Sequence, residues 1–105
     1  MALTFELATF TVREGEEASL VAERPQMITA LREAFPGAVG AWLAKRDDGS
    51  WVDVILWRSR EDAEHAAKHV EGVPAAKAWF RHIAESRGLQ HVEVAHEELF
   101  ELRRR

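Results

Sequence analysis

The chain has 105 residues, 47% of them hydrophobic and 30% charged, which excludes a disordered polymer and points to one soluble globular domain, 1–105. A net charge of −4 argues against a nucleic-acid partner, and the lack of cysteine rules out disulfides, thiolate metal sites and a cysteine nucleophile. With neither an apolar run near the ~20 residues that cross a bilayer nor a signal-peptide pattern, no membrane partner is expected and the expected location is cytoplasmic.

In chain order, Thr4 to Val12 alternates as a strand does, with Phe5, Leu7 and Thr9 on one face and Glu6, Ala8, Phe10 and Val12 on the other. Gly15-Glu16-Glu17 ends it and places acids where a helix N-terminus favours them. Pro25 removes an amide donor, so two helical pieces are expected, Glu16 to Glu23 and Pro25 to Phe35. The second carries the stripe Met27, Ile28, Leu31, Ala34 and Phe35, and Pro36-Gly37 stops it. Ala41 to Arg46 and Trp51 to Trp57 read as strands joined by the turn Asp47-Asp48-Gly49-Ser50, where glycine takes positive φ without a Cβ clash. Ser59 and Asp62 form a variant capping box opening a helix whose buried stripe is Ala63, Ala66, Ala67 and Val70. Gly72-Val73-Pro74 interrupts it. A further helix is expected from Pro74 or Ala75 to Arg87, with Ala76, Phe80, Ile83 and Ala84 inward, Trp79 beside them and Gly88 as its stop. Gln90 to Ala95 reads as the fourth strand. Glu97 to Leu102 suits either a short helix or an extended arm, and Arg103 to Arg105 a solvated tail.

This order, with right-handed crossovers, predicts an α+β fold: a ferredoxin-like βαββαβ antiparallel sheet with helices on one face. In the third strand Val52, Val54 and Leu56 point one way, and Trp51, Asp53, Ile55 and Trp57 the other. One side is wholly apolar and the other carries a single carboxylate, so both need cover. The chain's own helices supply one cover. A second copy is the natural other, which predicts a homodimer pairing as a dimeric α/β barrel.

Several residues could carry chemistry. Asp53, alone among apolar neighbours, must be paired, solvated in a cavity or protonated. It is a candidate general base, or else it pairs with an arginine across the dimer or on a neighbouring strand. Trp57 could stack on a flat ligand or fill the gap between sheet and helix; Trp42, Trp51 and Trp79 read as core. His82, at the edge of its helix's apolar stripe near Trp79, is a candidate acid–base group or a boundary histidine bonded to water or backbone. His65 and His69 have the spacing of a metal pair but lie opposite the alanine stripe and lack a third ligand, so no metal site is expected. His91 and Glu93 share a strand face and are either polar ligands in a cavity or cross-strand partners. There is no phosphate loop, nucleophile elbow or zinc signature.

Three runs carry a family resemblance: Phe35-Pro36-Gly37, Asp48-Gly49-Ser50-Trp51-Val52-Asp53-Val54 and Trp57-Arg58-Ser59-Arg60-Glu61-Asp62-Ala63. They resemble the antibiotic biosynthesis monooxygenase-like family of dimeric α/β-barrel proteins. The resemblance implies one of two chemistries: oxidation of aromatic polyketide phenols to quinones without metal or flavin, or haem binding and degradation. Trp57 matches the family's third-strand tryptophan, and His82 or His69 would stand for the histidine of haem-binding relatives. The chain has neither asparagine nor tyrosine, which the family's enzymes commonly use; Glu6 or Thr9 could take over an asparagine's hydrogen bonding. The expected function is a cofactor-independent monooxygenase of an aromatic or polyketide-like molecule, with Asp53 or His82 as base and Trp57 as packing wall. The alternatives are a non-catalytic ligand-binding or structural dimer and, third, a haem protein. No cofactor is expected, haem being the exception.

Overall fold

The computed structural model describes residues 2–101. Its elements are β1 (Thr4–Val12), α1 (Glu17–Ala34), β2 (Ala38–Lys45), β3 (Trp51–Trp57), α2 (Arg60–His69), a 3-10 turn (Val70–Gly72), α3 (Pro74–Phe80) and β4 (Ile83–Glu93). The strands form one antiparallel sheet in the order β2-β3-β1-β4, which is the expected ferredoxin-like α+β fold. Burial alternates along β3, with Trp51, Asp53, Ile55 and Trp57 buried beneath the helices. Phe10, Leu20, Met27, Leu31, Trp57 and Trp79 anchor the core between sheet and helices.

Pro25 does not divide α1; the helix runs unbroken from Glu17 to Ala34. The stripe Leu20, Arg24, Met27 and Leu31 crosses it at helical spacing and is buried along its length. Pro25 itself is exposed, so the carbonyl it leaves unpaired is on the solvent side. Packing of that stripe outweighs one missing bond.

The second correction concerns α3, which ends at Phe80 instead of Arg87, and β4, which starts at Ile83 instead of Gln90. Residues with helical spacing are drawn into the sheet because β1 is nine residues long and exposes an edge throughout. Phe10, Thr11 and Val12 pair with Ser86, Glu85 and Ile83. Gly88, at φ +127°, sits where the register shifts and is no helix stop. Ala84 is accordingly exposed.

The hairpin turn forms as expected: Gly49 has φ +89°, and Asp48 Oδ1 accepts from the Ser50 amide at 2.9 Å and its hydroxyl at 2.6 Å. Ser59 caps α2, accepting from the Asp62 amide at 3.1 Å. Beyond β4 the described chain has no regular element, so neither helix nor strand forms over 97–101. Leu102 and the arginine run lie outside the described residues.

The other sheet face carries Phe5, Leu7, Val54, Leu56 and Val92, and no helix among the described residues covers it. Trp42 belongs to this face and not to the core; it is 52% exposed and lies 6.5 Å from the Phe5 ring.

Candidate functional site

Charged and imidazole side chains on the helix-facing side of the sheet are few, and Asp53, Glu6, His91 and Glu93 are each held by a partner. Arg24 projects from the buried stripe of α1. Its Nη1 and Nη2 donate to the two oxygens of Asp53, both at 2.8 Å, and Nη2 also donates to the Trp42 carbonyl at 3.0 Å. The guanidinium lies 5.6 Å from the Trp79 ring centre. Both residues are 8% exposed, so this is a buried, fork-shaped ion pair. The arginine that Asp53 requires therefore comes from a helix of the same chain, and both carboxylate oxygens are engaged.

A second pair lies on the neighbouring strands. Glu6 of β1 and His91 of β4 face each other across the sheet, with His91 Nε2 in hydrogen-bond contact with Glu6 Oε1 at 2.9 Å. Burial raises the Glu6 pKa above the ordinary carboxylate value; the bond to His91 opposes this, and the charge of Asp53 adds to it. Glu93, on the same side, accepts from Arg60 Nε of α2 at 3.1 Å, and Arg60 also donates to the His91 carbonyl at 3.3 Å.

Register ties the Glu6–His91 pair to a crevice. One cross-strand row reads His91, Glu6, Ile55, Ala41, from β4 through β1 and β3 to β2. At its β2 end, α1 stands off the sheet and leaves a crevice of about 240 Å³ between Ile28, Leu31 and Arg32 above and Ala38–Ala41 with Ile55 below. Glu6 and Ile55 are directly opposite, a pairing that puts Cβ atoms about 4.5–5.5 Å apart. A ligand resting on Ile55 thus lies one strand away from the raised carboxyl.

The sequence-predicted residues are dispersed around this row. Trp57 shares the helix-facing side of β3, two residues beyond Ile55; it is 1% exposed and meets the Phe35 ring edge-on at 6.3 Å. Its Nε1 has no hydrogen-bond partner among the described residues. His82 follows α3 and is buried elsewhere, its Nδ1 2.8 Å from Glu16 and its Nε2 3.1 Å from Glu23. Bonds to Glu23 and Glu16 raise its pKa, against burial and the charge of Arg81. With both ring nitrogens on carboxylates, His82 has none left for a substrate. Trp51 and Trp79 are core, as expected, donating to Glu17 Oε2 and the Leu20 carbonyl at 2.8 Å each. His65 and His69 are exposed with rings 4.5 Å apart, and no cluster of three metal-ligating side chains exists among the described residues.

Neither a family model nor a curated protein matches the sequence. Solved structures match the fold. SnoaB, a cofactor-independent oxygenase from Streptomyces nogalater, superposes with a TM-score of 0.63 at 17% identity, over 94% of this chain and 97% of its own. A Bordetella bronchiseptica protein provisionally named as an antibiotic biosynthesis monooxygenase gives 0.67 at 18% identity, over 95% and 100%. The chain has the fold of the antibiotic biosynthesis monooxygenases. A nipsnap family protein of unknown function from Agrobacterium tumefaciens reaches 0.67 at 12% identity, over 92% of each chain, so the likeness is one of fold. Of the two histidines that the resemblance offers for haem, His82 has no free ring nitrogen, and His69 stands exposed on α2, away from the crevice.

A small, largely apolar pocket between sheet and helices is expected from the sequence, and the crevice answers to it; its place and lining, and Arg24 as the partner of Asp53, are not, and Glu6 and His91 are left unpaired. A signal for Glu6 was present: alternation in β1 puts it on the same face as Ala8 and Phe10, the situation that singled out Asp53.

Proposed function

We propose that the protein is a cofactor-independent monooxygenase of a small hydroxylated aromatic molecule, bound in the crevice between α1 and β2. The observation that carries this reading is the row linking the crevice floor, Ala41 and Ile55, to the Glu6–His91 pair. The shared fold with SnoaB supports the kind of chemistry. An apolar cavity of ~150 Å³ holds a benzene ring, so about 240 Å³ suits one or two fused rings better than four.

In this reading Glu6 accepts the phenolic proton, its raised pKa bringing it nearer that of its donor. Molecular oxygen then adds to the ring carbon para to the oxyanion. The O–O bond breaks, one oxygen leaves as water and the quinone keeps the other: 1-naphthol plus O2 gives 1,4-naphthoquinone plus water. Asp53, held by Arg24 one row away, helps keep the Glu6 carboxyl raised, and Trp57, buried behind the crevice beside Phe35, backs its wall without lining it. The unassisted apolar sheet face supports a homodimer, a second copy covering Phe5, Leu7, Trp42, Val54 and Leu56. Oxygen uptake with 1-naphthol and with a four-ring phenol tests the proposal: uptake with the two-ring substrate and little with the larger is expected. No uptake with any phenol would leave the second reading, a non-catalytic small-molecule binder, which the engagement of both Asp53 oxygens favours.

A further inference from the structure

Resting on the crevice reading above, we infer that the ligand carries an anionic oxygen group and that Arg32 selects it. The crevice is lined by apolar side chains, backbone of β2 and this one charged residue. Arg32 also borders the open shelf beyond, which Ile28, Thr29, Glu33 and Pro36 complete, so this exposed residue is shared by pocket and shelf. Among the described residues, Arg32 makes no ion pair and donates no side-chain hydrogen bond, a state it shares with Arg46, which lies away from the crevice, whereas Arg24, Arg58, Arg60, Arg81 and Arg87 are each paired with a carboxylate. No carboxylate lines the crevice itself, although the chain is acidic with a net charge of −4. An unpaired cation at the rim of an apolar slot matches a ligand with a flat apolar body and a terminal anion. The planar guanidinium grips a carboxylate at two points and a phenolate at one. The class is therefore an aromatic carboxylate, with the ring on Ile55 and Leu31 and the carboxylate outward at Arg32, which leaves a ring hydroxyl free to keep its proton for Glu6.

The test uses the full chain with 2-naphthoate, 1-naphthoate and the neutral 2-naphthalenemethanol, titrated by calorimetry and mapped by amide shifts. The anions are expected to bind more tightly than the alcohol, with shifts centred on Val39–Ala41 and Ile28–Arg32. Arg32→Gln should weaken the anions about three- to tenfold and leave the alcohol unchanged, as an exposed ion pair warrants. Arg32→Lys should retain part of the anion preference. The wild-type preference should also shrink as salt rises, a readout that needs no variant. Naphthoate binding unaffected by Arg32→Gln or by salt, shifts elsewhere, or no binding to ~1 mM would overturn the inference. Turnover of neutral phenols without anion preference would sink Arg32 alone, while anion binding without turnover would sink the oxygenase reading alone.

Discussion

At the scale of single residues, the Arg24–Asp53 pair shows what a sequence discloses and what it hides. That Asp53 needs a partner follows from its strand: a carboxylate between Val52 and Val54, on a face with Trp51, Ile55 and Trp57, cannot stay bare in an apolar interior. The partner's identity does not follow, because Arg24 precedes a proline and reads as the end of a broken helix. Only an unbroken α1 aims it at the sheet. The pair's bidentate geometry predicts an asymmetric mutational response. Arg24→Met should cost about 3–5 kcal/mol by leaving a buried charge unpaired, while Arg24→Met with Asp53→Leu should recover most of it. Urea unfolding of both proteins checks this, and equal losses would show that the pair holds the fold in some other way. Trp57 was legible as a buried residue, but its unpartnered Nε1 depends on where Phe35 and α2 lie, which spacing does not specify.

At the scale of elements, His82 ties the start and middle of α1 to the turn between α3 and β4. Glu16, Glu23 and Arg81 face it, and the Arg13 amide donates to its carbonyl at 2.9 Å. Its raised pKa means the folded state holds the proton more tightly than the unfolded one. The resulting stability is fully present below the ordinary histidine value of 6.5 and is lost as pH rises through the raised folded value. Chemical denaturation across that window should show the alkaline loss in the wild type and a flatter profile in His82→Asn. A wild-type profile that is level above pH 6.5 would remove the clamp. The same junction explains the misplaced boundary of β4. Ala76, Phe80, Ile83 and Ala84 have helical spacing, and local pattern says nothing of the edge of β1 waiting for Ile83. Long-range pairing overrides local period there.

At the scale of the whole molecule, the fold was readable because the order of strand and helix runs is clear, β3 is rich in aromatic and β-branched residues, and the hairpin carries an Asp-Gly turn. The sheet order followed from the ferredoxin-like topology, while the side the helices cover did not, because both faces of β3 are apolar enough to be buried. That a small apolar pocket lies between sheet and helices was readable, but its place and lining were not, since they depend on where α1 lifts away from β2, a helix-on-sheet and register effect. The exposed sheet face predicts a dimer. Val54→Glu, at the centre of that face, should yield a folded monomer by sedimentation, with the wild type at twice the mass. A wild-type monomer at micromolar concentration would contradict the pairing. The central claim is that Glu6, one strand from the crevice floor, takes the proton on which oxygen chemistry depends. Single-turnover quinone formation from 1-naphthol by Glu6→Gln measures this most directly. Substrate affinity should stay near wild type while the rate falls about 100-fold or more; an undiminished rate would contradict the account.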